Sequence, residues 1–517
     1  MTKQTFIKGT LILIVAGFIT KILGFINRIV VARLIGEEGV GLYMMAVPTL
    51  VLAITITQFG LPVAISKLVA EAEATGDKRR VKKILVVSLS VTGTLSIIFT
   101  PALILLAPLL SETLFTDART YYPLLAIAPV VPIVAISSVI RGYFQGKQNM
   151  KPAAISQVIE QVVRITLVAA FTKAFLPYGI EYAAAGAMLS AVIGELMSLL
   201  YMLFMFKFKK RFRLRSKFFH YIGEGKQTFN DLMRIAVPTT GSRMIGSIAW
   251  FFEPIVVAQS LALAGVATSL ATRQYGELVG FALPLVFLPS FITYSLSTAL
   301  VPAISEAAAK KNTFLIEHRL QQALRLCFAT GGIALVVLYV FAEPLMLLMY
   351  GNSNSAIYIK VIAPFILFYY FQGPLQATLQ ALDLAKAAMI NSFIGAFVKT
   401  GAIFLLASQP GLGIMGAALA IVIGFVLVTL LHMSTIMKVL SYTIYVREYA
   451  KGIVIIVGCV LLGNWMMDHL LLTFGTISRT LLFISILTII YTLLLTVFGL
   501  VKREEFARIP FLNKLLK

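Results

Sequence analysis

Fourteen apolar segments, each roughly 20 residues or longer, occupy most of the 517 residues of this chain. A helix needs about 20 apolar residues to cross about 30 Å of hydrocarbon, so each segment is long enough for one crossing. The mean hydropathy of +0.92 and a charged fraction of 13% point the same way, because soluble chains carry about 25% charged residues. The sequence therefore predicts an all-α polytopic membrane protein with fourteen transmembrane helices and little chain left for a soluble domain.

Six predicted spans precede the longest basic loop and eight follow it. Hydropathy places them at residues 6–34, 41–70, 84–110, 118–145, 152–176, 182–206, 232–260, 272–301, 321–349, 357–383, 386–407, 414–438, 450–472 and 478–501. The two cysteines, Cys327 and Cys459, lie inside apolar runs without CxxC or paired spacing. We expect buried free thiols there, and neither a disulfide framework nor a metal cluster.

Lysine and arginine are divided unevenly between alternate loops. Of the 44 such residues, about 30 fall at the termini and in alternate loops, against about 5 in the opposite loops. Cytoplasmic loops retain cations, so both termini are predicted to be cytoplasmic in a multi-pass cell-membrane protein. The densest run, 207–217, borders the membrane, where anionic lipid headgroups are its expected partner. Its interleaved aromatic residues resemble a nucleic-acid patch, but we expect no nucleic acid as a partner.

Four segments of the first half recur, in order, in the second half. The offsets lie between 226 and 239 positions: residues 28–36 match 254–265, 62–72 match 302–311, 151–165 match 386–400 and 185–194 match 415–424. Each repeat holds six spans, so both copies keep one orientation, as in the parallel-repeat plan of many transporters. We predict two pseudo-symmetric six-helix lobes around a central cavity. The predicted parts are an N-lobe at 1–206, a basic cytoplasmic linker at 207–231, a C-lobe at 232–438, and two extra C-terminal helices with a basic tail at 439–517.

Ionisable residues inside the spans indicate what such a cavity would bind. A charge at mid-bilayer costs about 2.5 to 3.5 kcal/mol on insertion scales, so it persists only beside water, a partner or a substrate. Span 1 carries Lys21, Asn27 and Arg28, and positions 21 and 28 are two turns apart on one helix face. Arg28 lies deep in the span and is our best candidate for a substrate-binding cation, with a structural ion pair as the alternative.

Two further arginines lie in spans 7 and 8. Arg243 belongs to the polar stretch 238–243, where an interrupted helix would turn polar groups inward. Arg273 opens span 8 and is either a cavity cation or an anchor that pairs with Glu277 one turn away.

Acidic residues inside the spans are fewer. Glu160 and Arg164 are four residues apart on span 5 and are expected to pair inside the bundle. Lys399 occupies the place of Arg164 in the second copy without an acid four residues earlier, so it reaches either the cavity or the interface. Glu253 in span 7 is a candidate for proton or cation coupling, or for the counter-ion of a nearby arginine.

Glutamines form a polar stripe on span 10. Gln372, Gln376 and Gln380 follow one another at four-residue intervals on one helix face. Such a stripe suits recognition of hydroxyl and amide groups, and it also serves as a hydrogen-bonded link between membrane helices.

Signatures of enzymes and nucleotide-driven pumps are missing from the sequence. It contains no GxxxxGK[ST] loop, no HExxH pair and no GxSxG elbow, and its four histidines are scattered. We therefore expect that the protein is not an enzyme and that it has no catalytic residue, metal site or cofactor. Because cations prevail over acids within the spans, an anionic cargo is favoured over a cationic one.

Three stretches resemble one transporter family. They are ITKILGFINRIVVARLIGEEGVGLY at 19–43, GLPVAISKLVAEAEATGD at 60–77 and RGYFQGKQNMKPAAISQVIEQVVRI at 141–165. With the two-lobe repeat and the two extra helices, they resemble the polysaccharide-export branch of the multidrug/oligosaccharidyl-lipid/polysaccharide (MOP) exporter superfamily over essentially the whole chain. Within that branch the chain is most similar to sporulation members, which are related to the MurJ-type lipid II flippases.

The resemblance implies a function. It implies alternating access, a polyprenyl-pyrophosphate-linked peptidoglycan precursor as the lipid-linked anionic saccharide substrate, and a role in spore cortex synthesis. It also implies that spans 13 and 14 form a groove for the lipid tail, and that Arg28 and Arg273 stand nearest the essential cavity arginines of such flippases. Membrane lipids are expected partners, and cell-wall synthases are further candidates.

Three alternatives stay open at this point. One is export of another lipid-linked oligosaccharide, such as a teichoic or capsular unit. A second is a cation or drug antiporter, against which the shortage of acids within the spans argues. The third is a scaffold that recruits cell-wall synthases without transporting anything.

Overall fold

The computed structural model describes residues 6–209, 218–440, 446–470 and 474–500, and within these ranges the regular structure is entirely helical. Helices satisfy every backbone hydrogen bond within the segment, which is why they are suited to hydrocarbon. The contacts divide the chain into two compact units, residues 1–280 and residues 281–517. Most of the basic run 207–217 and the whole C-terminal tail from 501 onward lie outside the described residues.

The first unit contains ten α-helices. They are α1 (Phe6–Gln58), α2 (Leu61–Ala74), α3 (Lys78–Leu109), α4 (Tyr121–Ile127), α5 (Val130–Gly146), α6 (Lys151–Phe175), α7 (Ile180–Lys209), α8 (Phe218–Gly223), α9 (Lys226–Leu263) and α10 (Thr268–Tyr275). A π-helical turn, Leu110–Leu114, extends α3, and a second, Gly276–Ala282, follows α10 at the end of the unit.

The second unit contains the other ten described α-helices. They are α11 (Leu283–Phe287), α12 (Ser290–Ala309), α13 (Thr313–Val340), α14 (Ala342–Tyr350), α15 (Ala356–Ile362), α16 (Ile366–Ala381), α17 (Ala385–Ala407), α18 (Ile414–Val439), α19 (Val446–His469) and α20 (Thr476–Val497). Cys327 on α13 and Cys459 on α19 are buried free thiols, which confirms the expectation from their apolar surroundings.

Twelve helical stretches of the described chain are long and apolar enough to cross a membrane, or thirteen if the bent pair at Thr268–Ala309 counts as one span. The first stretch, Val15–Ala74, has 60 residues, which at 1.5 Å per residue is about 90 Å and far exceeds one crossing. The chain is therefore a multi-pass helical membrane protein. The number fourteen stays a prediction.

Several predicted spans are single in the sequence but broken in the structure. The span predicted at 41–70 breaks at Phe59 and Gly60, both with positive φ, before α2 begins with Pro62 in its first turn. The span at 118–145 divides between α4 and α5, and the span at 357–383 divides between α15 and α16. Within α1, Gly36 leaves the helical conformation with φ 66° and ψ −171°, a region that favours glycine.

One helix pair recurs in both units as the sequence repeat predicts. The matched segments open α6 at Lys151 and fall at the start of α17, and in each unit this helix packs against the next one, α7 or α18. A Cβ placed on Gly194 would lie 3.4 Å from the Cβ of Arg164, and one placed on Gly424 would lie 3.3 Å from the Cβ of Lys399. The repeat aligns these same residues, so the two copies share a close glycine contact.

Helices α9 and α10 pack within the first unit although the repeat assigns them to the second copy. The hydroxyls of Thr55 on α1 and Ser247 on α9 are 2.9 Å apart. A Cβ on Gly60 would lie 2.6 Å from the carbonyl oxygen of Ala236, so the α1–α2 break touches the α9 backbone. The backbone of α9, which contains predicted span 7, therefore lies directly against the break between α1 and α2.

The last two helices pack onto α13 in the second unit. A Cβ on Gly332 would lie 2.1 Å from the Tyr491 hydroxyl of α20, and one on Gly452 of α19 would lie 2.1 Å from the Phe328 ring. These glycines permit close approach of helices that have no counterpart in the first copy.

Candidate functional site

The predicted cationic face of α1 is present and accessible. Lys21 and Arg28 are exposed, and Gly24, which lies between them on the same face, abuts Gln161 of α6 with 3.9 Å between its ideal Cβ and the Gln161 Oε1 atom. Among the described residues, the Arg28 guanidinium forms no hydrogen bond or ion pair. The structural ion pair that was the alternative for Arg28 is thus missing within the described chain.

Asn27 is buried, with 5% of its surface exposed, unlike Lys21 and Arg28 on the same helix. Its Oδ1 atom is enclosed and accepts no hydrogen bond from the described residues. Asn27 therefore faces packed helices, whereas Arg28 beside it is open to the surroundings.

Arg243 lies in the middle of the 38-residue helix α9 and is exposed. The predicted interruption at 238–243 is wrong, since α9 continues through Pro238. The hydroxyls of Thr239 and Thr240 donate to the backbone carbonyls four residues earlier, both at 2.7 Å, so these polar groups are satisfied inside the helix. The Arg243 guanidinium has no hydrogen-bond or ion-pair partner in the described parts of the chain.

Arg273 on α10 is held by acids. Its Nη2 atom lies 2.7 Å from Glu37 Oε2, and its Nε atom lies 3.2 Å from Glu277 Oε1. The predicted pairing with Glu277 is confirmed, and Glu37 is a second partner that the sequence does not reveal. The two carboxylates compensate the charge of Arg273, although about half of its side-chain surface stays exposed.

Glu38, the residue after Glu37, belongs to a second ion-pair network, with Arg119 and Asp117. Arg119 donates to Glu38 Oε1 at 2.7 Å and to Asp117 Oδ2 at 2.9 Å, and the Thr272 hydroxyl donates to the same Asp117 oxygen at 2.7 Å. Burial opposes ionisation of Asp117, but the hydrogen bonds from Arg119 and Thr272 and the charge of Arg119 outweigh it and lower the pKa of Asp117. The carboxylate thus fixes the start of α4 to α10.

Two glycines allow α1 and α10 to meet at these networks. A Cβ on Gly41 would lie 2.0 Å from the Thr272 carbonyl oxygen, and one on Gly276 would lie 2.1 Å from the Glu37 carbonyl oxygen. Real Cβ atoms do not come this close to a backbone atom. The close backbone contact therefore requires glycine at both positions.

Glu253 on α9 is buried, with 7% of its surface exposed. Its carboxyl group lies near enough to the fully buried Tyr275 of α10 to act electrostatically on that phenol. The choice between ion coupling and a structural counter-ion stays a prediction.

The other predicted site residues lie in the second unit. Gln372 donates from Nε2 to the Phe425 carbonyl of α18 at 3.1 Å, which confirms its role as an interhelical link, whereas Gln376 and Gln380 are exposed. Lys399 is half-buried, with its aliphatic stem against Gly424. The first unit therefore holds Lys21, Asn27, Arg28, Arg243, Glu253 and Arg273, and the second holds Gln372, Gln376 and Lys399.

A buried polar cluster around Glu195 of α7 was not predicted from the sequence. Ser137 of α5 donates to Glu195 Oε1 at 2.8 Å, and Arg141 Nη2 lies 3.7 Å from the same oxygen. The predicted Glu160–Arg164 pair on α6 is confirmed at 2.6 Å. An acid near the middle of an apolar span was the signal that would have revealed it.

The exposed arginines define what the first unit can do chemically. Arg243 is 17 residues from the start of α9 and 20 from its end, about 26 and 30 Å along the helix. A guanidinium at such a depth is costly against lipid, so it requires a hydrated space or an anionic ligand. With Lys21 and Arg28, the unit presents three exposed cations to an anion.

Comparison with known proteins reveals the family. The profile described as polysaccharide biosynthesis protein matches residues 6–308, and the profile described as MatE matches residues 278–404. The chain is 63% identical to stage V sporulation protein B of Bacillus subtilis, with all of both chains covered. It is 25% identical to the lipid II flippase MurJ of Bacillus subtilis over 81% of this chain and 80% of that one.

Solved structures share the fold. An inward closed conformation of the lipid II flippase MurJ superimposes with a TM-score of 0.68 at 16% identity, covering 92% of this chain and 97% of that one. An inward-facing multidrug resistance MATE family transporter of the MOP superfamily superimposes with a TM-score of 0.64 at 18% identity, covering 80% and 92%. The MurJ relative is named a flippase, and the two solved structures are named a flippase and a transporter. The chain belongs to the polysaccharide biosynthesis protein family.

Proposed function

We propose that the protein is a flippase that moves polyprenyl-pyrophosphate-linked peptidoglycan precursor, lipid II, across the cytoplasmic membrane by alternating access, for synthesis of the spore cortex. The single observation that carries the proposal is the pair of exposed arginines, Arg28 and Arg243, without partners among the described residues and deep within long apolar helices. The sporulation and lipid II flippase relatives support this cargo.

The pyrophosphate is the group that the cations would bind. Lys21, Arg28 and Arg243 supply positive charge to its oxygens, and each guanidinium is able to form two parallel hydrogen bonds to a phosphate. These charge-assisted bonds offset the desolvation of the headgroup. Outward movement of negative charge is favoured by an inside-negative potential, by about 2.3 kcal/mol per charge at 100 mV.

Other parts of the cargo would meet the second unit and the lipid. Gln376, which is exposed, and Lys399 are candidates for contacts with the sugar and peptide, and Arg273 is a candidate cavity cation if its ion pairs open during transport. We further propose the lobes 1–206 and 232–438, cytoplasmic termini, and a lipid-tail groove formed by α19 and α20. Membrane lipids are partners, and cell-wall synthases are candidate partners.

Flipping by reconstituted protein tests the proposal. Fluorescent lipid II is incorporated into proteoliposomes, and its movement is measured for wild type, Arg28→Ala, Arg243→Ala and the control Arg79→Ala, whose side chain is exposed beside Glu224. We expect flipping by wild type and the control, and at least a tenfold loss in the two cavity variants with normal insertion. Equal flipping by all four proteins would contradict the proposed site.

A second candidate function is export of another lipid-linked oligosaccharide, which the family description as polysaccharide biosynthesis protein favours. The same proteoliposomes are offered a polyprenyl-pyrophosphate carrying a sugar without a peptide. Preference for that lipid over lipid II would move the assignment to this second function while retaining the same cationic site.

A further inference from the structure

Helix α9 has two exposed faces on opposite sides. One face is apolar, with side chains that are 38% to 52% exposed: Val237, Ile248 and Phe252. The other, which we call the Arg243 face, carries Arg243, Gly246 and Trp250. Successive residues of an α-helix are about 100° apart, so the Arg243 face spans about 60° and the apolar residues lie at least about 120° from it. Lipid suits the apolar face, whereas the arginine requires water or an anionic ligand.

Trp250 lies deep within α9 and is nevertheless exposed. It is 13 residues from the end of the helix, about 20 Å, whereas the tryptophans that anchor membrane helices lie at the two interfaces. The indole has 37% of its surface exposed, and within the described chain it forms no hydrogen bond or ring contact. Both the ring face and the N–H donor are therefore open to a ligand.

Gly246 leaves a gap between the arginine and the indole. It lies about one turn from each, and apart from its chain neighbours and its own helix backbone, no described atom comes within 4 Å of the position its Cβ would occupy. Arg243 and Trp250 are seven positions apart, which is two turns and about 10 Å along the helix. The Arg243 face thus offers an anion-binding group and an aromatic ring with unfilled space between them.

The first copy of the repeat lacks both of these groups. The match at an offset of 226, continued along the same helix, pairs Arg243 with Gly17 and Trp250 with Gly24. The corresponding helix α1 forms without a cation or an indole at those places. The fold of the repeat therefore does not explain why α9 has them, and binding of a ligand does.

A guanidinium and an indole on one face select a chemical class of ligand. Sugar rings have apolar C–H faces that pack on aromatic rings, and their hydroxyl and acetamido oxygens accept hydrogen bonds from an indole N–H. An indole also attracts organic cations, but the guanidinium two turns away repels them. A saccharide joined to an anionic group satisfies both side chains.

We propose that Trp250 forms a saccharide subsite, in which the indole stacks on a sugar ring of the glycan attached to a pyrophosphate at Arg243. The inference rests on the proposed function and names the part of the cargo that α9 recognises. Trp250 is thus a specificity-determining residue, because it distinguishes a polyprenyl pyrophosphate that carries a glycan from one that carries none.

Tryptophan fluorescence tests the subsite directly. The chain has two tryptophans, Trp250 and Trp465, so Trp465→Phe leaves the subsite indole as the only one. Quenching of this protein by acrylamide is measured with lipid II and with polyprenyl pyrophosphate that carries no sugar. We expect lipid II to lower the quenching constant by about twofold or more, because stacking covers one face of the indole, and the sugarless lipid to leave it unchanged. Equal shielding by both lipids, or none by bound lipid II, would overturn the subsite.

The control for this experiment is Trp250→Phe, which keeps only Trp465. That indole is exposed on α19 and stacks against His469. We expect its quenching to be the same with the two lipids, since they share the polyprenyl tail. A preference for lipid II as strong as that of Trp465→Phe would overturn the assignment, as would shielding of Trp250 by a quaternary ammonium salt and not by lipid II.

Binding affinities separate contact with the saccharide from a structural role. Trp250→Ala should bind lipid II about 2- to 10-fold more weakly, the range of one aromatic stacking contact, and should bind the sugarless lipid as wild type does. Trp250→Phe retains a ring and should recover part of the loss. The matched control is Phe252→Ala, an exposed aromatic residue on the opposite face of α9, with wild-type affinities. Equal weakening for both lipids in Trp250→Ala would indicate a structural role and overturn the subsite.

The outcomes distinguish this inference from the proposed function. Binding of both lipids that depends on Arg243, with no contribution from Trp250, would retain the cationic site and refute the saccharide subsite. No binding of either lipid, together with shielding of Trp250 by a soluble N-acetylglucosamine disaccharide, would retain the subsite and refute the pyrophosphate cargo.

Discussion

Replacing Gly41 with alanine probes the contact that joins α1 to α10. The ideal Cβ would lie 2.0 Å from the Thr272 carbonyl oxygen and 2.8 Å from its carbonyl carbon, whereas ordinary contact begins at 3.4 Å. Both atoms belong to the backbone, so no side-chain rotation relieves the clash. The two helices must separate by the difference of 3.4 and 2.0 Å, about 1.4 Å along that direction.

A separation of this size would break the hydrogen bonds that cross the same contact. The Nε and Nη2 atoms of Arg273 on α10 each lie 2.7 Å from Glu37 Oε2 on α1, and adding about 1.4 Å to these distances leaves no hydrogen bond. Overpacking costs about 1 to 3 kcal/mol, and loss of the Arg273–Glu37 pair, in which Arg273 is half exposed, adds about 1 kcal/mol. Alanine returns up to about 1 kcal/mol through its better helix propensity, so we expect a net loss of about 1 to 3 kcal/mol.

Thermal unfolding in detergent, followed by circular dichroism, measures the effect. The matched control is Gly17→Ala on the same helix, where nothing lies within 4 Å of the ideal Cβ. We expect Gly41→Ala to unfold at clearly lower temperature than wild type, and Gly17→Ala to unfold at the same or slightly higher temperature. A Gly41→Ala protein as stable as the Gly17→Ala protein would refute the close contact of α1 with α10.

Two further substitutions have expected outcomes. Asp117→Asn should reduce the stability of folding by about 2 to 3 kcal/mol at neutral pH. The pKa of Asp117 is lowered from 3.8 in the folded protein. The extra stability of wild type over Asp117→Asn is therefore fully present above about pH 4 and is lost as the pH falls through the folded-state pKa. Thermal unfolding of both proteins at successively lower pH measures this loss. Gln372→Leu should cost less than about 1 kcal/mol in thermal unfolding, since the Phe425 carbonyl still accepts from Thr429 at 2.8 Å; a loss of several kcal/mol would contradict this.

Hydropathy predicted the helical fold because each crossing needs a long apolar run, and this signal is local. The breaks inside runs were not predictable in the same way. Apolar residues flank Pro129, and Phe59 lies inside a predicted span whose mean hydropathy stays high despite Thr57 and Gln58, so the hydropathy does not reveal either break. The wrong interruption at Pro238 has the opposite cause, since threonine hydroxyls bond back to the helix and keep a polar stretch helical.

Candidate site residues can be named from the sequence where the choice depends on depth in a span or on a neighbour along one helix. Arg28, Arg243 and the Glu160–Arg164 pair belong to this kind. Partners distant in sequence were not predictable, because Glu37 lies 236 positions from Arg273 and Ser137 lies 58 positions from Glu195. Only packing of α1 on α10, and of α5 on α7, brings these groups together.

Direct binding of the cargo headgroup tests the central claim that exposed cations of α1 and α9 hold a pyrophosphate. The affinity of purified protein for lipid II is compared with its affinity for an uncharged polyprenyl lipid, in wild type, Arg28→Ala, Arg243→Ala and the control Arg79→Ala. Hydrogen bonds to charged groups contribute about 1.5 to 3 kcal/mol each, so we predict about 10- to 150-fold weaker lipid II binding in each cavity variant and wild-type binding in the control. Equal affinity of wild type for the charged and uncharged lipids, or unaltered binding by both cavity variants, would contradict the claim.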